Sequence, residues 1–441
     1  MNGKLTLSAL QSAGFVSRHR RGISPSNTSV IIFLNRFFYP DHAATSQLLS
    51  DLAFALADGG REVHVITSRQ RYDEPESLLP ARERIRGVEV HRVWTSRFGR
   101  NWLPGRTMDY LTFYTSAAWT LFRLARSDHV IVAKTDPPLI SAVAAMVARL
   151  RGARLVNWLQ DLFPEVAVAS GLRVFRAWPG RLLRRLRDAS LRCAVINVAL
   201  DTRMAAYLRQ QGVCEERITV IHNWADSHLI HPLAASDNPL RAEWDLRDRF
   251  VVGYSGNLGR VHEFQTMLGA IERLREHDDI VFLFIGAGYR RKGLRGEVER
   301  RGLDNVRFLP YQPRERLSES LSAPDVHLVS LQTCFEGFVV PSKFYGIAAA
   351  GRPVLFIGAN DCELAQVIVR ERCGAIIREG DAATLAEAIL TLHRDPALSQ
   401  QEGHNARQVL LRRFDRSLCI NAWQELLDGL HNESVPLESK P

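Results

Sequence analysis

Pro341-Ser342 signals a helix start and puts Lys343 in its first turn, just after a loop carrying Glu336 and Gly337 and the short apolar run Val326–Ser330. A helix start offers unpaired backbone N–H groups and the positive end of a dipole, and a lysine there adds a mobile full charge. A diphosphate is the ligand that fits. Ser255-Gly256-Asn257-Leu258-Gly259-Arg260 spells a second anion contact. Two glycines after a buried strand let backbone amides approach the anion, while Asn257 and Arg260 supply donors. The competing readings are an ordinary loop-to-helix joint with a solvated lysine and a plain glycine turn. Lysine is rare here, five among 57 basic residues, and Lys343 and Lys134 both lie inside motifs. A compact, rotatable charge suits a diphosphate that must also leave.

Carboxylates gather at other strand ends. Lys134-Thr135-Asp136-Pro137-Pro138 and Asp161-Leu162-Phe163-Pro164-Glu165 each follow an apolar run. Carboxylates at strand ends face a cleft, so Asp161, Asp136 and Glu165 are candidates for holding a second substrate or steadying positive charge there. Asp136 and Asp161 also fit helix N-caps beside proline. His42, near the first strand–helix loop, is a weaker acceptor-side candidate, since a histidine in such a loop is usually just solvated. Gly286-Ala287-Gly288 lacks the third glycine of a dinucleotide fingerprint, which argues against NAD. Asp-x-Asp, a common metal clamp for a diphosphate, occurs nowhere, and no histidine cluster has metal-ligand spacing.

Positioning these residues takes strands alternating with helices. Val30 to Leu34, a helical period over Thr45 to Asp58, and Glu62 to Thr67 make a βαβ unit. Strands near His129 to Ala133, Arg154 to Asn157, Ala194 to Val198 and Ile218 to Ile221 continue a parallel, doubly wound sheet. Periodicity lapses between Asn223 and Arg249. A second series then runs from Phe250–Ser255 through Ile280–Ile285, Val306–Leu309 and Val326–Ser330 to Val354–Ile357. The expected organisation is a basic arm over 1–28, a first Rossmann-like domain over 29–235, a second over 236–415, a helix over 416–430 and a disordered tail over 431–441. Open parallel sheets bind ligands beyond their carboxyl ends, so two facing sheets create a cleft.

At 441 residues the chain exceeds one ordinary core, and its 46% hydrophobic and 24% charged content are those of a soluble globular protein. The net charge of +9 points to an acidic partner: a nucleotide, a phospholipid surface or a nucleic acid. Six scattered cysteines without C-x-x-C suggest reduced thiols in the cytoplasm. No uninterrupted apolar run reaches 18 residues, so no transmembrane span is expected. The first 28 residues read as a basic arm, an upstream start or a targeting peptide. A secretory signal is disfavoured because the arginines follow the apolar stretch. Leu172 to Arg192 interleaves seven arginines with Phe175, Trp178, Leu182, Leu183, Leu186 and Leu191, as an interfacial amphipathic helix on anionic lipid would. A domain helix with a solvated arginine face is the alternative; no recognised motif supports a nucleic-acid partner.

Five motifs occurring in order resemble glycosyltransferase family 4, in particular its bacterial exopolysaccharide and colanic-acid branch. They are Phe38-Tyr39-Pro40, Asp161 to Glu165, His222-Asn223-Trp224-Ala225-Asp226, Tyr254 to Gly259, and the segment Glu336 to Leu355. The resemblance covers roughly residues 29 to 425 and implies an α/β GT-B fold, two Rossmann-like domains facing a cleft. It implies a hexosyltransferase with a nucleoside-diphosphate sugar seated mainly on the C-terminal domain, metal-independent transfer with retention, and no cofactor. Donor contacts would come from Ser255, Gly256, Asn257, Gly259, Gly286, Ser342 and Lys343. Lys343 and Arg260 would stabilise the leaving phosphate, whose oxygen would take the acceptor's proton during same-face attack, and Asp161 and Glu336 would complete the catalytic set. The expected acceptor is a polyprenyl-diphosphate-linked saccharide at the inner face of the cytoplasmic membrane. Many relatives carry two glutamates separated by seven residues. Here the second place is Gly346, the first is Phe338, and Glu336 sits two residues early, which leaves ribose recognition to backbone or another side chain. A nucleotide-sugar epimerase and a noncatalytic assembly scaffold are the other classes.

Overall fold

A computed structural model describes residues 30–41, 43–71, 78–99 and 103–432. His42, the arm over 1–28 and the tail beyond 432 lie outside the described residues.

The first half builds one sheet from β1 (Ile31–Leu34), β2 (Val63–Ser68), β3 (Arg82–Ile85), β4 (Val88–Val93), β5 (Val130–Lys134), β6 (Arg154–Trp158), β7 (Ile196–Ala199) and β8 (Ile218–Val220). Their spatial order is β3-β4-β2-β1-β5-β6-β7-β8, parallel except for the β3–β4 hairpin. Continuous apolar runs mark strands covered on both faces, and β1 and β5 are buried at every position. The sequence reading missed the hairpin. Its turn, Arg86-Gly87, has positive φ at both residues (48° and 83°), the geometry of a tight hairpin.

The second half forms a parallel sheet from β9 (Phe250–Ser255), β10 (Ile280–Ile285), β11 (Val306–Leu309), β12 (Val326–Ser330), β13 (Val354–Ile357) and β14 (Gly374–Ile377), ordered β11-β10-β9-β12-β13-β14. The order reverses direction between β9 and β12. The loops leaving those two neighbouring strands carry both anion motifs, so the sheet itself brings Gly256 and Lys343 to one edge.

The chain crosses between the halves at Trp224 to Ile230. Trp224 belongs to the first core, Ala225 and Ile230 to the second. The stretch after it is pinned to the second half, with the His231 and Leu233 amides donating to Ser318 and Ser322 hydroxyls at 3.0 and 3.2 Å. The last helix, Arg416–Asn432, crosses back. Its Trp423 is fully buried against Trp158 at 4.7 Å between ring centroids, and Trp158 stacks on Trp224 at 5.9 Å. Both crossings thus end in one aromatic cluster under the first sheet. No helix among the described residues is long and apolar enough to cross a membrane.

Candidate active site

Lys343 opens a seven-residue helix, Lys343–Ala349, and its stem lies along the glycine turn. A Cβ added at Gly256 would stand 3.1 Å from Lys343 Cε. The ammonium donates to His262 Nε2 at 2.8 Å, while His262 Nδ1 lies 2.7 Å from the Ser330 carbonyl. A carbonyl only accepts, so Nδ1 carries the proton and Nε2 offers its lone pair to the ammonium. Burial, then the Lys343 charge, push His262 down to about 3, so the ring is neutral. Burial alone pushes Lys343 down to about 7. His262 was not singled out from sequence. Its signal was available, two residues beyond the glycine turn and on the same loop.

The glycine turn interlocks with its neighbour. Leu258 donates its amide to the Ala287 carbonyl at 2.8 Å, and Gly286 and Gly288 hold φ of 139° and 143°. A Cβ at Gly286 would run into the Gly256 carbonyl, and one at Gly288 into the Asn257 side chain. Ser255 Oγ lies buried without a hydrogen-bond partner. Arg260 is exposed, and its guanidinium stacks over the Tyr289 ring at 3.6 Å beside these loops. Gly256 has φ of 121°, so Gly256→Ala should cost about 1–3 kcal/mol in a denaturant titration and displace Lys343. A melt unchanged from the parent would show the turn relaxing freely.

Across the seam, Asp161 pairs as an isolated bridge with Val339, and the Leu162 amide donates to the Phe338 carbonyl at 3.0 Å. The Asp161 carboxyl is pushed up to about 6, first by lost hydration and then by Asp136. Solvent still reaches the residue from the open side. Asp161 and Asp136 thus lie close enough to interact at the ends of β6 and β5. Thr135 Oγ1 accepts from the Gln160 and Asp161 amides at 3.0 and 3.3 Å and locks the two loops together.

One sequence expectation needs correction, and the other lysine set inside a motif proves structural. Glu165 does not face the cleft. It is buried and takes Arg187 in a two-pronged pair at 2.9 and 3.1 Å, Arg184 at 2.8 Å and the Tyr207 hydroxyl at 2.6 Å. Lys134 does not face a diphosphate either. Its ammonium is buried, donates to the Thr45 carbonyl at 3.0 Å and sits 3.6 Å over the Trp158 ring. Glu165 was read as a site residue because it follows a strand, yet it turns inward, as Lys134 does at the end of β5.

Glu336 joins a different cluster. Its carboxylate lies 3.7 Å from Arg203, a residue of the first half, which also bonds Asp361 at 2.6 Å. Burial and Asp361 raise Glu336, and Arg203 opposes them. Glu363 caps the same seam, accepting from the Thr202 amide and hydroxyl at 2.7 and 2.9 Å and bonding His222 at 2.7 Å. Burial raises Glu363, but His222 and the Thr202 donors outweigh it and hold the carboxyl at about 2. At Gly346 an added Cβ would press on Leu321 at 3.2 Å, so a longer side chain there requires Leu321 to move.

The arrangement provides a cation between glycine-lined loops on one half and carboxylates at strand ends on the other. Two family models match the chain in succession, the glycosyl transferase 4-like domain over residues 45–224 and glycosyl transferases group 1 over 237–409. A protein named as a colanic acid biosynthesis glycosyl transferase, WcaI of Escherichia coli, is 28% identical over 86% of this chain and 95% of its own length. A protein named as a glycosyltransferase, WbjE of Pseudomonas aeruginosa, is 28% identical over 60% of this chain and 66% of its own. Among solved structures, Anabaena HepE in complex with UDP-glucose superposes with a TM-score of 0.67 at 19% identity, covering 91% of this chain and all of that one. Two facing parallel-sheet halves, matched in order by both family models, make this chain a GT-B glycosyltransferase of family 4.

Proposed function

We propose that this enzyme moves a sugar, with retention and without a metal, from a nucleoside-diphosphate sugar to a polyprenyl-diphosphate-linked saccharide. The process would be bacterial exopolysaccharide, capsule or O-antigen assembly at the inner face of the cytoplasmic membrane. The observation that carries the reading is the Lys343 ammonium, held against the Gly256 turn by a neutral His262 at the edge where β9 and β12 end. A diphosphate seated there replaces water around the cation, and the cation and loop amides steady charge growing on the leaving phosphate. Asp161 and Asp136 would face the acceptor. Relatives named for colanic acid, lipopolysaccharide core and capsular polysaccharide biosynthesis support the pathway class, and the UDP-glucose complex of a like-folded protein supports the donor class.

The test is transfer of radiolabel from a panel of nucleotide sugars to lipid extracted from polysaccharide-producing membranes, with EDTA present. Organic-phase label from one donor is the expected result. Conversion of a donor without any acceptor would replace transfer by epimerisation, and absence of nucleoside-diphosphate binding by calorimetry would leave only a scaffold.

A further inference from the structure

One layer of the first domain exposes more apolar surface than the arginine-rich segment alone provides. The helix Leu103–Leu124 packs beside Ile140–Arg151, which packs beside Trp178–Cys193, all on one face of the sheet. On the first of these, Met108, Leu111, Trp119 and Phe122 are exposed, Trp119 by 64%. At about 100° per residue these four fall within a stripe about 80° wide. The opposite stripe, Phe113, Ala117 and Leu121, is fully buried in the core. The middle helix exposes Met146 and Leu150, the latter by 67%, and the third exposes Trp178, Leu182 and Leu186. The exposed apolar residues of the second domain, such as Val369 and Tyr311, stand far apart in its sequence.

Charge around this layer is predominantly positive, with Asp128 exposed in the same loop as Arg126. Arg123, Arg126, Arg149, Arg181, Arg185 and Arg192 are exposed along it. The Arg151 guanidinium lies 4.9 Å from the Phe122 ring, bridging two of the helices. The three helices carry two acids. Asp109 is buried under the amides of Phe98 and Gly99 and the Ser96 hydroxyl, and Asp188 is bonded to Arg187 at 2.7 Å. Arg184 and Arg187 turn inward to Glu165, so the outward charge of the third helix comes from Arg181, Arg185 and Arg192.

We infer that the three helices together form a docking face for an anionic lipid bilayer, with Trp119, Phe122, Met146 and Leu150 entering the interface beside the arginine helix. Aromatic and aliphatic side chains ringed by arginines match the boundary between headgroups and acyl chains, whereas a soluble partner would supply acids at chosen points. The helix that carries the exposed stripe also passes the end of β1, on its inward side. The Leu103–Leu124 helix starts under the loop that leaves β4, and its Tyr110 ring lies 5.1 Å from the guanidinium of Arg36, just beyond β1.

This rests on the membrane-side reading of the function, and the experiment separates the two. Full-length protein is floated with vesicles of phosphatidylcholine alone and of phosphatidylcholine mixed with phosphatidylglycerol. Parent, Trp119→Ser/Phe122→Ser, Met146→Gln/Leu150→Gln and Arg181→Gln/Arg185→Gln/Arg192→Gln proteins are compared, each checked for an unchanged melt and nucleotide binding. Each variant is expected to lose about tenfold or more in partitioning to the anionic vesicles. A parent that ignores both vesicle types would sink the membrane reading altogether. A parent that binds, with only the arginine variant impaired, would confine the contact to one helix and overturn the wider face. Equal binding to neutral vesicles would overturn the charge argument, and an apolar variant that turns a parent dimer into a monomer would assign the face to a second copy of the chain.

Discussion

Lys343→Ala should lower kcat by about two to three orders of magnitude, the scale set by removing one preorganised donor from a developing oxyanion. The side chain is fixed at both ends, by its helix start and by His262, so its charge needs no reorganisation when the diphosphate leaves. Its placement also predicts a pH dependence. Burial pushes the free ammonium down to about 7, so it is charged below that pH and loses its proton above. A diphosphate alongside favours the charged form, so donor binding above pH 7 should take up a proton, measurable by calorimetry in buffers of different ionisation heats. The kcat/KM for donor should fall as pH rises through about 7, and that fall should disappear in Lys343→Arg, whose guanidinium stays charged. Near-parental turnover in Lys343→Ala would remove this lysine from the chemistry. A flat donor profile in the parent would show the ammonium retaining its proton throughout.

The legible parts of this protein were those written in local sequence. Buried parallel strands need unbroken β-branched runs, so β9 to β13 could be placed almost residue for residue. The glycine turn and the Pro341-Ser342 helix start announce themselves by backbone needs that few other residues meet. Side-chain direction was not legible. Glu165 follows a strand and Lys134 ends one, but whether a side chain turns to the cleft or under a helix depends on partners far along the chain. Those partners are Arg187 and Tyr207 for Glu165, and Thr45 and Trp158 for Lys134. His262 was hidden for the same reason, since its role comes from a lysine 81 residues away. The return of the last helix was equally invisible, because Trp423 signals burial without naming the core it enters.

Glu165→Ala should be among the most destabilising single changes in the chain, costing about 3–5 kcal/mol by urea titration, because it takes the two-pronged partner from a buried Arg187 and leaves it only Asp188. Both side chains of the pair are 5% exposed, and the Tyr207 hydroxyl would lose its acceptor as well. The pH dependence of the parent follows with a definite sign. Burial raises the Glu165 carboxyl, but Arg187 and the Tyr207 hydrogen bond outweigh it and leave the group below its ordinary range. The unfolded chain therefore binds the proton first as pH falls. This contribution to stability is complete above the ordinary carboxylate range and is lost as pH drops through the folded value. The slope of parent stability against pH below about 4.5 should exceed that of Glu165→Ala. Replacing the pair in concert, Glu165→Leu with Arg187→Met, should recover part of the loss, since the two most buried charges leave together and the more exposed Asp188 and Arg184 can turn to water. Such a protein would keep nucleotide binding at the distant Gly256 turn, while the arginine helix, freed from its anchor on the short helix Glu165–Ala169, would become the first segment to exchange its amide hydrogens. Equal stability of Glu165→Ala and the parent would mean that Arg187 reaches water once its partner is gone.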